Sequence, residues 1–109
     1  MVKENSVRIK HMIDASEAIF HFIQNRRRDD LDNDLMLFSA IIRQLEILGE
    51  AATGLSQDFK EQNSFIPWSK IIGMRNRLIH AYFDVDADIV WQAITVEVPN
   101  ILPQLEKLI

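Results

Sequence analysis

In the first half of the chain, Leu35, Phe38, Ile41, Ile42, Leu45, Leu48, Ala52 and Leu55 recur at intervals of three and four residues. This is the repeat of an α-helix that buries one face, and it predicts a helix from about Asp32 to Leu55. A strand would need apolar residues at alternate positions, which the run does not offer. The same period appears earlier in Ile9, Met12, Ile13, Ile19, Phe20 and Ile23, predicting a first helix capped by Asn5 or Ser6 and running to about Asn25. Only three glycines and three prolines punctuate the 109 residues. Long helices are therefore favoured over many short strands. The expected fold is all-α, an up-and-down bundle of four to five helices forming a single domain over residues 1–109.

The joints between helices have their own chemistry. Arg26-Arg27-Arg28 followed by Asp29-Asp30-Leu31-Asp32-Asn33-Asp34 sets bases at one helix C-terminus and acids at the next N-terminus, each opposing the local dipole. A structural turn is favoured over an RNA-binding rim. The acidic run lacks the glycine and terminal glutamate of an EF-hand loop, so calcium is rejected. Gly49, Ala51 and Ala52 form a small-residue patch where another helix can approach closely. Glu50 within it is expected to pair with an Arg or a backbone amide, or to position an active-site Arg. Pro67 suits the first position of a short helix entered through Trp68 and Ile71, with both Trp68 and Trp91 expected to pack. Gly73 allows a bend or a close approach. Asp84-Val85-Asp86 offers a cap for a helix from about Ala87 to Val98, and Pro99 and Pro103 are expected to kink or divide the final segment.

Apolar residues make up 48% of the chain and charged residues 26%, the balance of a soluble globular domain. With no cysteine, disulfides and thiolate metal sites are excluded, and an intracellular, cytoplasmic address fits. No signal pattern opens the chain, and no apolar run approaches the length of a membrane span. His11 and His21 lie about 15 Å apart along one helix, too far to share a metal. A net charge of −4 argues against a protein that coats nucleic acid non-specifically. The stretch from Lys60 to Tyr82 is different, with Lys60, Lys70, Arg75 and Arg77 against Glu61 alone.

Within that stretch, Arg75-Asn76-Arg77-Leu78-Ile79-His80-Ala81-Tyr82 concentrates two guanidiniums, a carboxamide, an imidazole and a phenol with no acid among them. Arg presents a planar fork of donors matched to phosphate oxygens, and His can exchange a proton near neutral pH. On a helix at about 100° per residue, Asn76 and His80 share one flank, Arg75 and Tyr82 share the next, and Leu78 and Ile79 turn towards a core. Arg75 and His80 are about 140° apart and diverge unless the helix ends between them. One chain thus presents a strip. A second copy across a two-fold axis would close it into a cleft.

The residues Arg75-x4-His80 with Asn76 directly after the Arg, then His80-Ala81-Tyr82, resemble the Arg-x4-His-x-Tyr signature of HEPN-domain proteins, and more narrowly of HepT-like toxins. Ile47-Leu48-Gly49-Glu50-Ala51-Ala52, Ile66-Pro67-Trp68, Ile71-Ile72-Gly73-Met74-Arg75-Asn76 and Tyr82-Phe83-Asp84-Val85-Asp86 through Val90-Trp91 extend the resemblance over essentially the whole chain. It implies a HEPN-like bundle, active as a homodimer, that cleaves RNA without metal or other cofactor. It further implies a minimal nucleotidyltransferase partner, the antitoxin, that attaches AMP to Tyr82. Arg75 and His80 would be catalytic, His80 as general base or acid. Asn76 would donate to a phosphate oxygen or orient His80. Arg77 is open between a surface salt bridge and a substrate contact, and Tyr82 between a modification site and a packed aromatic. Two other readings remain: a non-catalytic adaptor that binds a nucleotide or docks the nucleotidyltransferase, and a plain dimerisation module.

Overall fold

The computed structural model describes residues 3–80 and 85–109, with His80 described by its backbone alone. Helices follow one another as α1 (Lys3–Phe22), α2 (Asp30–Asn33), α3 (Leu35–Thr53), α4 (Gln57–Gln62), α5 (Trp68–His80), α6 (Ala87–Gln92), a π turn over Ala93–Glu97, and α7 (Val98–Glu106). Among the described residues there is no strand. The expected all-helical bundle is what forms. Its main bodies are α1, α3, α5 and the continuous rod made by α6, the π turn and α7. No described helix is long and apolar enough to cross a membrane.

Helix α3 is the central element, packing most extensively against α1 and α5. Its buried stripe is Leu37, Ile41, Leu45, Leu48 and Ala52, facing Ile9, Met12 and Ile19 of α1. Leu35 falls outside this stripe: it is 79% exposed, and Leu37 takes the inward position at the helix start. The expected single helix from Asp32 is interrupted at Asp34, whose extended backbone ends α2 while its carboxylate accepts from Leu37 N–H at 3.0 Å. A short polar side chain that can satisfy an orphan amide thus splits the acidic run into two helices.

Asn5 does not cap α1, because the helix is already formed at Lys3 and Asn5 lies buried within it. It reaches the far end of α3 instead, donating to Ser56 Oγ at 3.2 Å and accepting from Ser56 N–H at 3.2 Å. Ser56 in turn caps α4 by accepting from Phe59 N–H. These bonds run α1 antiparallel to α3. The first helix ends at Phe22, three residues short of expectation, and Asn25 takes a left-handed φ of 60°. Asn tolerates that region better than most side chains, so it suits a helix exit.

The Arg/Asp joint is structural, as its charge pattern suggested. Arg26 pairs with Asp34 at 3.5 Å, and Arg28 pairs with Asp32 at 3.1 Å and with Asp88 of α6 at 2.6 Å. Asp88 foremost, with Asp32, holds the Arg28 guanidinium protonated more firmly than usual.

Neither Pro99 nor Pro103 divides the final segment. Pro99 has no amide to return to Thr95, and its ring would press on that carbonyl in a regular α-turn. The chain widens immediately before it, so that Val98 N–H reaches back to the carbonyl of Ala93. Val90, Ile94, Val98, Ile101 and Leu105 then stay buried along the whole rod, with spacings that absorb the wider turn.

Replacing Asp34 by Ala removes the α3 cap and is expected to cost about 1 kcal/mol. Urea unfolding would show it as a lower midpoint with an unchanged slope.

Candidate functional site

Helix α5 carries the site, and two contacts fix its height on the bundle. At its start, Trp68 is buried beside Phe59 with ring centroids 6.4 Å apart, and its indole N–H donates to the Asn63 carbonyl at 3.0 Å. Packing is therefore the role of Trp68, as expected. In its middle, the stem of Arg75 lies directly on Gly49 of α3. A Cβ built on Gly49 would overlap Arg75 Cβ, lie 2.8 Å from Arg75 Cγ and 3.3 Å from the Ile71 carbonyl. Ile71 and Leu78 are buried on the same side of α5, and Ile79 is half-buried.

Arg75 emerges half-buried from this contact. Its Nη1 donates to Asn76 Oδ1 at 3.0 Å, so the carboxamide next in sequence steadies the guanidinium. Because Arg can only donate, the Asn76 oxygen must be the atom turned towards it. Arg75 Nε is buried with no acceptor among the described residues. No carboxylate lies within ion-pair distance of either Arg75 or Arg77 among those residues.

Glu50 does not position Arg75. It pairs at 3.3 Å with Arg43, two turns back on its own helix, and its side chain is 41% exposed. Of the expected alternatives, the structural one holds. Lys70 is likewise drawn away from the basic strip by Glu97 of the π turn, at 2.9 Å. Of the strip's cations, Lys60, Arg75 and Arg77 remain without a carboxylate partner among the described residues.

Helix α5 runs without interruption through Arg75 to His80. The two backbone positions are thus about 140° apart around the axis and about 7.5 Å apart along it. A single chain does not bring them onto one face. Asn76 and His80, one turn apart, do share a face by backbone position. Tyr82, with Ala81, Phe83 and Asp84, lies outside the described residues, and so does its expected role.

The contact partner of Arg75 is the feature the sequence did not name. Gly49 was visible as part of a small-residue patch, but a patch signals only that some helix comes close. Gly73 shows the reverse: a Cβ there would meet nothing within 4 Å among the described residues, so no close approach from them requires glycine.

The family model described as ribonuclease HepT-like matches residues 12–108, and the chain belongs to that family. Among its relatives, "Probable ribonuclease HepT" of Thermococcus cleftensis is 36% identical over 100 residues, covering 92% of this chain and 91% of its own. "Putative RNase TTE0752" of Caldanaerobacter subterraneus subsp. tengcongensis is 35% identical over 101 residues, covering 93% and 90%. No solved structure matches the chain.

The two glycines make opposite predictions. Gly49→Ala forces α3 and α5 apart and is expected to destabilise by about 1–3 kcal/mol. Gly73→Ala removes only a helix-propensity penalty and is expected to stabilise by up to about 1 kcal/mol. Thermal unfolding of the two variants beside the wild type gives both signs at once.

Proposed function

We propose that this protein is a metal-independent endoribonuclease acting as a two-fold homodimer, the toxin of a pair whose antitoxin is a minimal nucleotidyltransferase. Membership of the HepT-like family and the ribonuclease names of its relatives support the reaction class. The observation that carries the site is Arg75 itself. Its stem is seated on Gly49, its guanidinium is held by Asn76, and no carboxylate pairs with it among the described residues. An arginine fixed in place and left unneutralised is suited to an anion that arrives from outside.

RNA brings its own nucleophile. The 2′-oxygen attacks the adjacent phosphorus while a base takes its proton, and the 5′-oxygen leaves with a proton from an acid, giving a 2′,3′-cyclic phosphate and a free 5′-hydroxyl. His80 serves as base or acid in this exchange, and Arg75 stabilises the charge that builds on the equatorial oxygens. Asn76 keeps the Arg75 fork oriented, and Arg77 contacts substrate phosphate. Since α5 sends Arg75 and His80 to different sides, the working site draws on two chains, and the acid and base fall to His80 of each. AMP attached at Tyr82, two residues past His80, would place a bulky anion beside the strip. It would repel RNA phosphate, which gives the partner enzyme an electrostatic means of silencing the toxin.

Purified protein is expected to cleave cellular RNA in EDTA. Arg75→Ala should lower the rate by about 10²–10³-fold and His80→Ala by about 10²–10⁴-fold. Circular dichroism would show both variants folded. Absence of cleavage by folded protein carrying no adduct on Tyr82 by mass spectrometry would replace this reading with that of a non-catalytic adaptor.

A further inference from the structure

On the face of α5 turned away from Arg75 runs a groove with Lys70, Gly73, Met74 and Arg77 of α5 on one bank, and Ile89 and Glu97 of the α6–π rod on the other. Its volume is about 290 Å³, close to the ~300 Å³ at which small-molecule sites begin. The chemistry of the two banks is uneven. Lys70 and Glu97 neutralise one another across one end. Arg77 is exposed at its rim with no carboxylate in reach among the described residues. Ile89, 38% exposed, supplies an apolar wall. Between Lys70 and Arg77 the helix surface is bare, because Gly73 has no side chain and none of the described residues fills the space.

A glycine inside a helix lowers its stability, and no neighbour among the described residues asks for it. The room it leaves fits something from outside that must come close to the α5 backbone. A protein segment seated there would have to bring its own carboxylate, since none lies within ion-pair distance of Arg77 among the described residues. A nucleotide supplies both halves of the match, a phosphate for the guanidinium and a ribose or base for the apolar wall. Gly73 and His80 are seven residues apart on one face of α5, about 10 Å along the axis. The occupant would thus lie next to the reacting phosphate.

We infer that this groove binds a nucleotide of a single-stranded RNA substrate flanking the scissile phosphate. Arg77 holds its phosphate, Ile89 and Met74 pack against its base or ribose, and Gly73 gives its backbone access to the helix. The inference rests on the ribonuclease reading of the same helix.

The test measures binding as well as turnover. A fluorescein-labelled single-stranded RNA oligonucleotide is titrated by anisotropy with His80→Ala protein, alone and carrying Gly73→Leu or Arg77→Gln, over a range of salt. Gly73→Leu fills the groove and is expected to weaken Kd about tenfold, the scale of a 1.4 kcal/mol loss, with the salt slope unchanged. Arg77→Gln should reduce that slope by about 0.7, the share of one single-strand phosphate. In the otherwise wild-type enzyme, Gly73→Leu should raise KM by more than it lowers kcat. Thermal unfolding and light scattering should show both variants folded with unaltered mass. Unchanged affinity for folded Gly73→Leu overturns the inference, and so does a change in oligomeric mass, which would assign the groove to a protein contact. If wild type fails to cleave while oligonucleotide binding still responds to both variants, catalysis falls and the groove stands.

Discussion

Helices α3 and α5 touch backbone to side-chain stem at Gly49, and most of the functional geometry descends from that contact. A helix can come this close only where its partner has no Cβ to interpose. Once it does, Ile71 and Leu78 reach the core, and Arg75 is pinned at its base instead of swinging free. Any residue other than glycine would lift α5 away, and the guanidinium would move with it. The core and the site share one contact, so neither can be altered there alone.

The α6–π–α7 rod packs chiefly against α1, with few polar fastenings to the rest of the bundle. Arg28 ties its start through Asp88, and Lys70 ties its middle through Glu97. Both pairs are largely solvent-exposed and contribute little each. The apolar row from Val90 to Leu105 does the holding. The π turn matters because it reconciles two demands, an unbroken buried row and a proline in the helix, without giving up either.

Much of this was legible in the sequence because helical periodicity is a local signal. The stripe through Ile41, Leu45 and Leu48 and the apolar face of α1 could be read directly, as could the structural nature of the Arg26–Asp34 joint. What failed had a common cause. Asn5 looked like a cap because Asn favours caps, but a residue 51 positions away in sequence, Ser56, claimed its side chain. Pro99 looked like a break because the remedy, a wider turn, carries no sequence mark. Lys70 looked available to the site, yet it found a nearer counter-charge in Glu97. Of the site, the residue types were legible. The seating of Arg75 on Gly49 was not, because it joins two helices whose register no single segment encodes.

The buried Nε of Arg75 has a further consequence. A donor shut away from water with no acceptor among the described residues carries a desolvation cost of about 1–3 kcal/mol. That loss is incurred when the chain folds, and it leaves the guanidinium already partly stripped of its hydration on that side. Under the ribonuclease reading proposed above, stability and affinity for phosphate are set against each other at one atom. An apolar side chain of similar length at this position would then give a more robust protein and a less capable one.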